Sequence, residues 1–223
     1  MKLTRTVGTA SGIGLAALAA LLLLPTIGAD DADAPAAPAP TASTAPPAAP
    51  PPTTSAAEYD RDLFGPRWAD VDRNGCDTRN DILARDLSDV VYKPGTNDCV
   101  VLSGILHDSY TGETVTFTRI SEGYQPVQID HIIPLAVAWA SGADSWTEEQ
   151  RTQFANDPAN LQTTTANQAK GDSTPSAWMP TAEGAACEYS TRYLDVATVY
   201  ALEIPTADRD ALTAALTSCP SAP

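Results

Sequence analysis

The sequence predicts an α+β domain in which a small antiparallel sheet is surrounded by helices and held by disulfide bonds. Apolar residues alternate between residues 100 and 119 around a central turn, a pattern that indicates a β-hairpin. Stretches with helical periodicity follow in the C-terminal third of the chain. Four cysteines, all after residue 75, favour two disulfide bonds.

The first 29 of the 223 residues are typical of an export signal. Lys2 and Arg5 precede an apolar run that ends at Pro25, and we expect cleavage after Ala29. An uncleaved membrane anchor is the alternative, although the run is shorter than the roughly 20 apolar residues of a membrane span. We therefore predict a secreted, extracellular protein that has no stable association with a membrane once the signal is removed.

Residues 30–57 contain 8 Pro and 11 Ala among 28 positions, which predicts a disordered, semi-rigid linker. The remaining segment, 58–223, is long enough for one hydrophobic core, and we expect it to be monomeric. It has 11 basic and 25 acidic residues, a formal charge of −14. This charge argues against a protein that holds nucleic acid mainly by bulk electrostatics. It still allows an enzyme that contacts phosphate through a metal ion.

The elements of this domain are predicted in order along the chain. Residues 58–90, rich in Asp and Arg, are expected to be helical or irregular. Strands are predicted at 100–106, 113–119 and 127–130, with a turn at 108–112 between the first two. The remaining predicted elements are helices at 134–141, 147–156, 187–201 and 207–218, an extended segment at 160–163 and one or two helical turns at 165–171.

The four cysteines Cys76, Cys99, Cys187 and Cys219 allow three pairings. No Cys-x-x-Cys spacing is present, which argues against a zinc ribbon. We favour Cys76–Cys99 with Cys187–Cys219. If the last two predicted helices are antiparallel, the second bridge joins the start of one helix to the end of the next.

Three polar motifs suggest the chemistry: Ile129–Pro134 (IDHIIP), Asn156–Leu161 (NDPANL) and Asn167–Asp172 (NQAKGD). The imidazole of His131, held neutral at a strand end, can take a proton from water. Asp130 and the asparagines supply hard oxygen donors, which suit Mg²⁺, Mn²⁺ or Ca²⁺ rather than zinc. A base beside such a metal site fits hydrolysis of a phosphodiester. Taken singly, an Asp-His pair is more often structural than catalytic, and the Asn-rich run alone would indicate turns.

In this order the motifs resemble the HNH, or His-Me finger (ββα-metal), endonucleases, and most closely the secreted bacterial HNH-type proteins. The similarity covers about 70–220. The resemblance implies a ββα-metal catalytic core and a metal-dependent endonuclease. The further segments that carry it are R-D-L at 85–87, C-V-V-x-S-G at 99–104, Y-T-G at 110–112, a Trp-led block at 146–161 and A-W-x-P at 177–180.

The resemblance assigns roles to four residues, and helical spacing adds Lys170 as a fifth candidate. His131 corresponds to the general base, and Asp130 and Asn167 correspond to the metal ligands. Asn160 corresponds to the middle Asn, which fixes the loop and orients the catalytic His. Asn167 replaces the last His of the literal motif, and this change fits Mg²⁺ better than a transition metal. Lys170 would share a helical face with Asn167 and could reach a phosphate as a third catalytic residue; a solvent-facing lysine is the alternative.

The expected partner is a nucleic acid substrate, with DNA favoured over RNA. Arg119 and Arg151 are candidate phosphate contacts, but for Arg151 we favour pairing with Glu148 or Asp157. His107 matches no motif and is expected at the surface or in a structural role. The tryptophans assigned to the hydrophobic core are Trp139, Trp146 and Trp178.

Two other classes of function remain open from the sequence. A non-catalytic interaction module, secreted or displayed at a surface, could keep the same fold. Binding alone would not require Asp130, His131, Asn160 and Asn167 together. The acidic residues would also permit a glycosidase that uses two carboxylates, but no pair is singled out.

Overall fold

The structure, a computed structural model, describes residues 58–219. The predicted signal at 1–29, its cleavage after Ala29 and the linker at 30–57 lie outside this range, as do the last four residues. Among the residues from 58 to 219, no helix is both long and apolar enough to cross a lipid bilayer.

Within residues 58–219, five strands form two antiparallel sheets, which confirms the α+β class. Strands β1, β2 and β3 form one sheet in that order, and β4 pairs with β5 in the other. The predicted hairpin is the β2–β3 pair, in which Ser103 lies opposite Thr118. In chain order the strands are β1 (Leu87–Tyr92), β2 (Val101–His107), β3 (Thr114–Thr118), β4 (Gln128–His131) and β5 (Leu161–Thr164).

Two of the α-helices begin where polar side chains satisfy free backbone N–H groups. The side chain of Asp77 accepts from the backbone N of Asn80 at the start of α1, and Thr147 and Gln150 form a capping box at α3. The α-helices are α1 (Thr78–Asp86), α2 (Leu135–Ala140), α3 (Glu148–Ala155), α4 (Asn167–Lys170), α5 (Ala185–Val199) and α6 (Thr206–Thr217). Short 3₁₀-helices lie at Arg61–Phe64, Ala143–Ser145 and Pro158–Asn160.

Strand β1 departs from the expectation that residues 58–90 are helical or irregular. Only Leu87 of its six residues is buried, so the strand lacks the alternation that identifies a half-buried strand. It lies at the edge of the sheet, where pairing with β2 joins Leu87 to Leu106 and Tyr92 to Val101. Backbone pairing with β2, rather than an alternation of apolar side chains, makes residues Leu87–Tyr92 a strand.

Strand β4 connects two hydrophobic clusters. Ile129 packs in the cluster formed by α1 and the three-stranded sheet, whereas Ile132 and Ile133 pack among the helices. Asp130 and His131 therefore lie at the junction of the two clusters. The tryptophan prediction is confirmed, because Trp139 belongs to the helical cluster and the others pack against it; these are Trp146 and Trp178.

Both favoured disulfide bonds are present. Cys76 is bonded to Cys99 with their Cα atoms 5.0 Å apart, and Cys187 is bonded to Cys219 with their Cα atoms 5.7 Å apart. The second bridge joins α5 near its start to the residue that follows α6, as the helical argument required.

Removing either bridge should lower the free energy of unfolding by about 3–4 kcal/mol, because each closes a loop of a few tens of residues in the unfolded chain. Urea denaturation of a Cys187→Ala, Cys219→Ala variant tests this expectation.

Mass spectrometry of the native protein should detect no free thiols. Four reactive thiols in folded protein would contradict both pairings.

Candidate active site

Three of the five predicted site residues line one polar cavity of about 210 Å³. Asp130 and His131 reach it from the end of β4, and Asn167 reaches it from the start of α4. The other two, Asn160 and Lys170, do not line this cavity and are buried. The remaining lining residues are Tyr59, Arg61, Pro134, Leu135, Gly171 and Asp172.

His131 is held in one tautomer by a backbone carbonyl. Its Nε2 lies 2.9 Å from the carbonyl oxygen of Ala155 at the end of α3. A carbonyl oxygen only accepts hydrogen bonds, so the proton of the neutral ring is on Nε2 and Nδ1 keeps a free lone pair. Burial lowers the pKa of His131 to about 4, against the opposing effect of this hydrogen bond. The imidazole is therefore neutral at physiological pH.

The ring of His131 should consequently titrate well below the value of about 6.5 that is usual for histidine. Protonation is disfavoured in the folded protein, so the free energy of unfolding should fall as the pH drops from about 6.5 through about 4. NMR of the ring protons in metal-free protein measures the midpoint. Substituting His131→Gln should flatten the pH dependence of unfolding in this range. A midpoint at or above 6.5 would contradict the prediction.

Asp130 and Lys170 form a buried ion pair behind the cavity. Their side chains are 3% and 0% exposed, and Lys170 Nζ lies 3.1 Å from Asp130 Oδ2 and 3.2 Å from Oδ1. Lys170 also donates to the carbonyl oxygen of His131 at 2.7 Å, and the Tyr110 hydroxyl donates to Asp130 at 3.4 Å. Burial raises the pKa of Asp130 to about 6 despite the nearby ammonium.

The position of Lys170 corrects both alternatives drawn from the sequence. Its side chain does not face solvent, and its ammonium is not free to meet a phosphate, because Asp130 and the His131 carbonyl already hold it. Burial lowers the pKa of Lys170, against the attraction of Asp130. The ammonium connects α4 to β4 and so fixes the distance between the two elements that line the cavity.

Asn160 fixes the chain immediately after His131. The residue is 0% exposed. Its Oδ1 accepts from the backbone N of Ile133 at 2.8 Å, and its Nδ2 donates to the Ile133 carbonyl at 3.2 Å. Its own carbonyl accepts from the backbone N of Ile132 at 2.8 Å. These contacts extend the β4–β5 pairing beyond His131 and hold the segment on which the imidazole depends.

The side-chain amide of Asn167 is held in place where the residue lines the cavity. Its Nδ2 donates to Gln128 Oε1 at 2.6 Å, which orients the amide. No hydrogen bond to Asn167 Oδ1 comes from any residue in the described part of the chain. Asp130 and Asn167 thus provide one carboxylate and one amide oxygen, and Asp172 lines the same cavity.

This donor set is small. Between residues 58 and 219, no group of three or more His, Cys, Asp or Glu side chains is placed to hold a metal ion. A hard cation such as Mg²⁺ commonly binds through one or two protein oxygens and keeps several waters. The oxygens of Asp130 and Asn167 fit an ion of that type and do not fit zinc.

Arg151 serves the fold rather than the cavity. Its Nε donates to the Leu63 carbonyl at 2.8 Å, and its guanidinium lies 5.6 Å from the ring centroid of Trp139. The favoured pairing with Glu148 or Asp157 is wrong, because the aromatic ring and the backbone carbonyl offered by the neighbouring 3₁₀-helix hold the guanidinium instead.

Arg119 and His107 also lie away from the cavity. Arg119 donates to the Val101 carbonyl at 2.6 Å and to the side chain of Asn80, so it supports the three-stranded sheet. His107 is exposed, and its Nδ1 lies 3.1 Å from Thr114 Oγ1. The expected surface position of His107 is confirmed.

Tyr59 and Arg61 line the cavity but were not identified from the sequence. They precede the IDHIIP motif by about 70 positions, and no motif or spacing connects them to it. The scarcity of basic residues in an acidic domain was a weak signal for Arg61. That signal could not distinguish it from the other arginines.

Comparison with known proteins identifies the family. Residues 77–215 match the C-terminal domain of GmrSD restriction endonucleases. An uncharacterized secreted protein of Arthroderma benhamiae is 40% identical over 165 residues, covering 72% of this chain and 76% of that protein. This relative is fungal, so the expected bacterial kinship is not confirmed, and no solved structure matches. The chain belongs to the family of the GmrSD restriction endonuclease C-terminal domain, a nuclease-associated family.

Proposed function

We propose that this protein is a secreted, metal-dependent endonuclease of the HNH type, which hydrolyses phosphodiester bonds with His131 as the general base. One observation carries the proposal: β4, β5 and α4 bring Asp130, His131 and Asn167 to one cavity. Two antiparallel strands followed by a helix are the order that a ββα-metal core requires. Membership of a nuclease-associated family supports this assignment.

Secretion rests on separate support. The predicted signal at 1–29 precedes the domain, and a relative covering most of the chain is named a secreted protein. Two disulfide bonds fit an oxidising compartment. The substrate is nucleic acid, with DNA favoured over RNA.

The side chains Asp130 and Asn167 would hold the metal ion, which we take to be Mg²⁺. When bound, such an ion polarises a phosphoryl oxygen and neutralises charge on the phosphate. The domain carries a charge of −14, so this neutralisation is needed for a phosphodiester to approach. Substrate affinity should be modest and strongly salt-dependent.

His131 supplies the base. With the Nε2 proton held by the Ala155 carbonyl, the Nδ1 lone pair can accept a proton from a water molecule in the cavity. The water oxygen attacks phosphorus as its proton passes to Nδ1, and the bond from phosphorus to the leaving oxygen breaks. The leaving oxygen takes a proton from solvent water, and the imidazolium returns its proton to solvent after the product leaves. The negative charge of the phosphate offsets the burial that disfavours imidazolium.

Asn160 and Lys170 position these groups. Asn160 holds the backbone of Ile132 and Ile133 and thereby the orientation of the His131 ring. Lys170 contacts Asp130 and the His131 carbonyl and so sets the metal-binding carboxylate beside the base. Neither residue needs to touch the substrate in this scheme.

Replacing Asn167 with Ala should weaken metal affinity and leave the base intact. The rate at low Mg²⁺ should fall by roughly tenfold or more, the usual effect of disturbing a metal site, and excess Mg²⁺ should restore part of it. Titration of activity against Mg²⁺ concentration measures both effects. Gln168→Ala, at an exposed neighbouring position, is the matched control and should behave like the wild type. A lowered rate that no Mg²⁺ concentration restores would contradict the ligand role.

The decisive experiment incubates the purified protein with plasmid DNA or structured RNA, in Mg²⁺ or in EDTA. We expect cleavage in Mg²⁺ that EDTA stops and that His131→Ala slows by roughly 10²-fold or more. Cleavage that persists in EDTA would exclude the metal. Absence of cleavage of both substrates with Mg²⁺, Mn²⁺ and Ca²⁺ would favour a non-catalytic binding module instead.

A further inference from the structure

Arg61 is a half-buried arginine whose guanidinium has no hydrogen-bond or salt-bridge partner among residues 58–219. The domain has five half-buried arginines, and four of them are held by carbonyls, side chains or an aromatic ring; these are Arg79, Arg119, Arg151 and Arg192. Arg61 lines the same cavity as Asp130, His131 and Asn167. Its guanidinium makes no hydrogen bond or ion pair with any residue from 58 to 219.

The helical turn that carries Arg61 is anchored on both sides. Phe64 is buried, with its ring centroid 6.2 Å from that of Trp139, and Tyr59 packs on the same indole at 6.3 Å. The Asp60 side chain caps the turn by accepting from the backbone N of Asp62 at 2.9 Å. The guanidinium therefore projects from a fixed backbone.

We propose that Arg61 binds the phosphate at the cleavage site and stabilises its charge as water attacks. This inference rests on the nuclease function proposed above and adds a substrate-binding residue to it. An unpaired guanidinium has five N–H donors in a planar fork, which matches two phosphate oxygens. Among the residues that line the cavity, Arg61 is the one with a positively charged side chain.

Electrostatics supports this assignment. Burial and the neighbouring Arg67 lower the pKa of Arg61, against the weaker attraction of Tyr59 and Asp62. A phosphate in the cavity would give the guanidinium a direct ion pair, which no residue from 58 to 219 provides. Arg61 and His131 line the same cavity, so a phosphate held by the guanidinium would lie beside the base.

The test compares Arg61→Gln with Arg67→Gln. Arg67 is exposed and does not line the cavity, so this control removes the same charge nearby. In the cleavage assay, Arg61→Gln should lower kcat/KM by roughly 10²-fold, the usual effect of losing a donor to developing charge. Arg67→Gln should stay within about twofold. Arg61→Lys should recover only part of the rate, because an ammonium lacks the planar fork. Thermal unfolding should be similar for all variants.

Binding supplies a readout besides activity. Each substitution is placed in a His131→Ala background, which slows cleavage, so that fluorescence anisotropy measures affinity for a labelled DNA duplex in Mg²⁺. Arg61→Gln should weaken binding by about tenfold, as expected for one charged hydrogen-bonding group. Low concentrations of guanidinium should restore part of the cleavage activity of Arg61→Ala.

The outcomes separate the two proposals. If the wild type cleaves DNA and Arg61→Gln matches it in kcat/KM and affinity, the role of Arg61 is overturned while the nuclease function stands. Equal losses in Arg61→Gln and Arg67→Gln would also overturn it, since long-range charge would then explain both. If the wild type cleaves no nucleic acid, the proposed function fails and the role of Arg61 fails with it.

Discussion

Replacing His131 with Ala should lower the turnover number by roughly 10²–10⁴-fold, the usual contribution of a positioned general base. The fold should survive, because Asn160 holds the following segment through backbone atoms of Ile132 and Ile133 rather than through the imidazole. Asp130 and Asn167 also remain, so the affinity for Mg²⁺ should change little. Single-turnover cleavage of a DNA substrate at saturating Mg²⁺ measures the loss.

His107→Ala is the matched control, since it removes the same chemical group from an exposed position at the end of β2. Its turnover should equal that of the wild type. Full activity in His131→Ala together with loss in His107→Ala would refute the motif assignment. Loss of folding in His131→Ala, detected by circular dichroism, would instead assign the residue a structural role.

Local patterns were sufficient to predict much of the site. Short-range alternation predicted the β2–β3 hairpin, and the order of the motifs predicted that Asp130, His131 and Asn167 would meet. The structure places these three side chains around one cavity. Their catalytic and metal-binding roles remain predictions. The pairing of Cys187 with Cys219 also followed from local reasoning, because two consecutive antiparallel helices place these two residues side by side.

The remaining features depend on contacts that no local pattern encodes. Lys170 and Asp130 are 40 positions apart in the chain, and their pairing is known only once α4 packs beside β4. Arg61 reaches the cavity because Phe64 and Tyr59 pack on Trp139, far along the chain. The same limit applies to the electrostatics. Burial in the folded protein, which no local pattern shows, lowers the pKa of His131 from its usual value to about 4.

Replacing Lys170 with Met should destabilise the protein strongly above neutral pH. The change keeps most of the side-chain volume but leaves the Asp130 carboxylate buried without its counter-ion. Breaking a buried ion pair in this way costs about 3–5 kcal/mol. Lys93→Met, at the other lysine of the domain and exposed to solvent, should cost little. Urea denaturation at pH 8 compares the two variants.

The pH dependence shows whether the lost charge or the lost packing is responsible. Burial already raises the pKa of Asp130 to about 6, and removing the ammonium should raise it further. A carboxyl group whose pKa is higher in the folded than in the unfolded state stabilises the folded protein at pH values below the unfolded pKa of about 3.9. This stabilisation is lost as the pH rises through the folded pKa. The loss of stability in Lys170→Met should therefore be small near pH 4 and large at pH 8.

Adding Asp130→Asn should recover most of the stability at pH 8 but no nuclease activity, because the carboxylate proposed to hold the metal is gone. An equal loss at both pH values, unrelieved by Asp130→Asn, would show that packing rather than the ion pair makes Lys170 necessary.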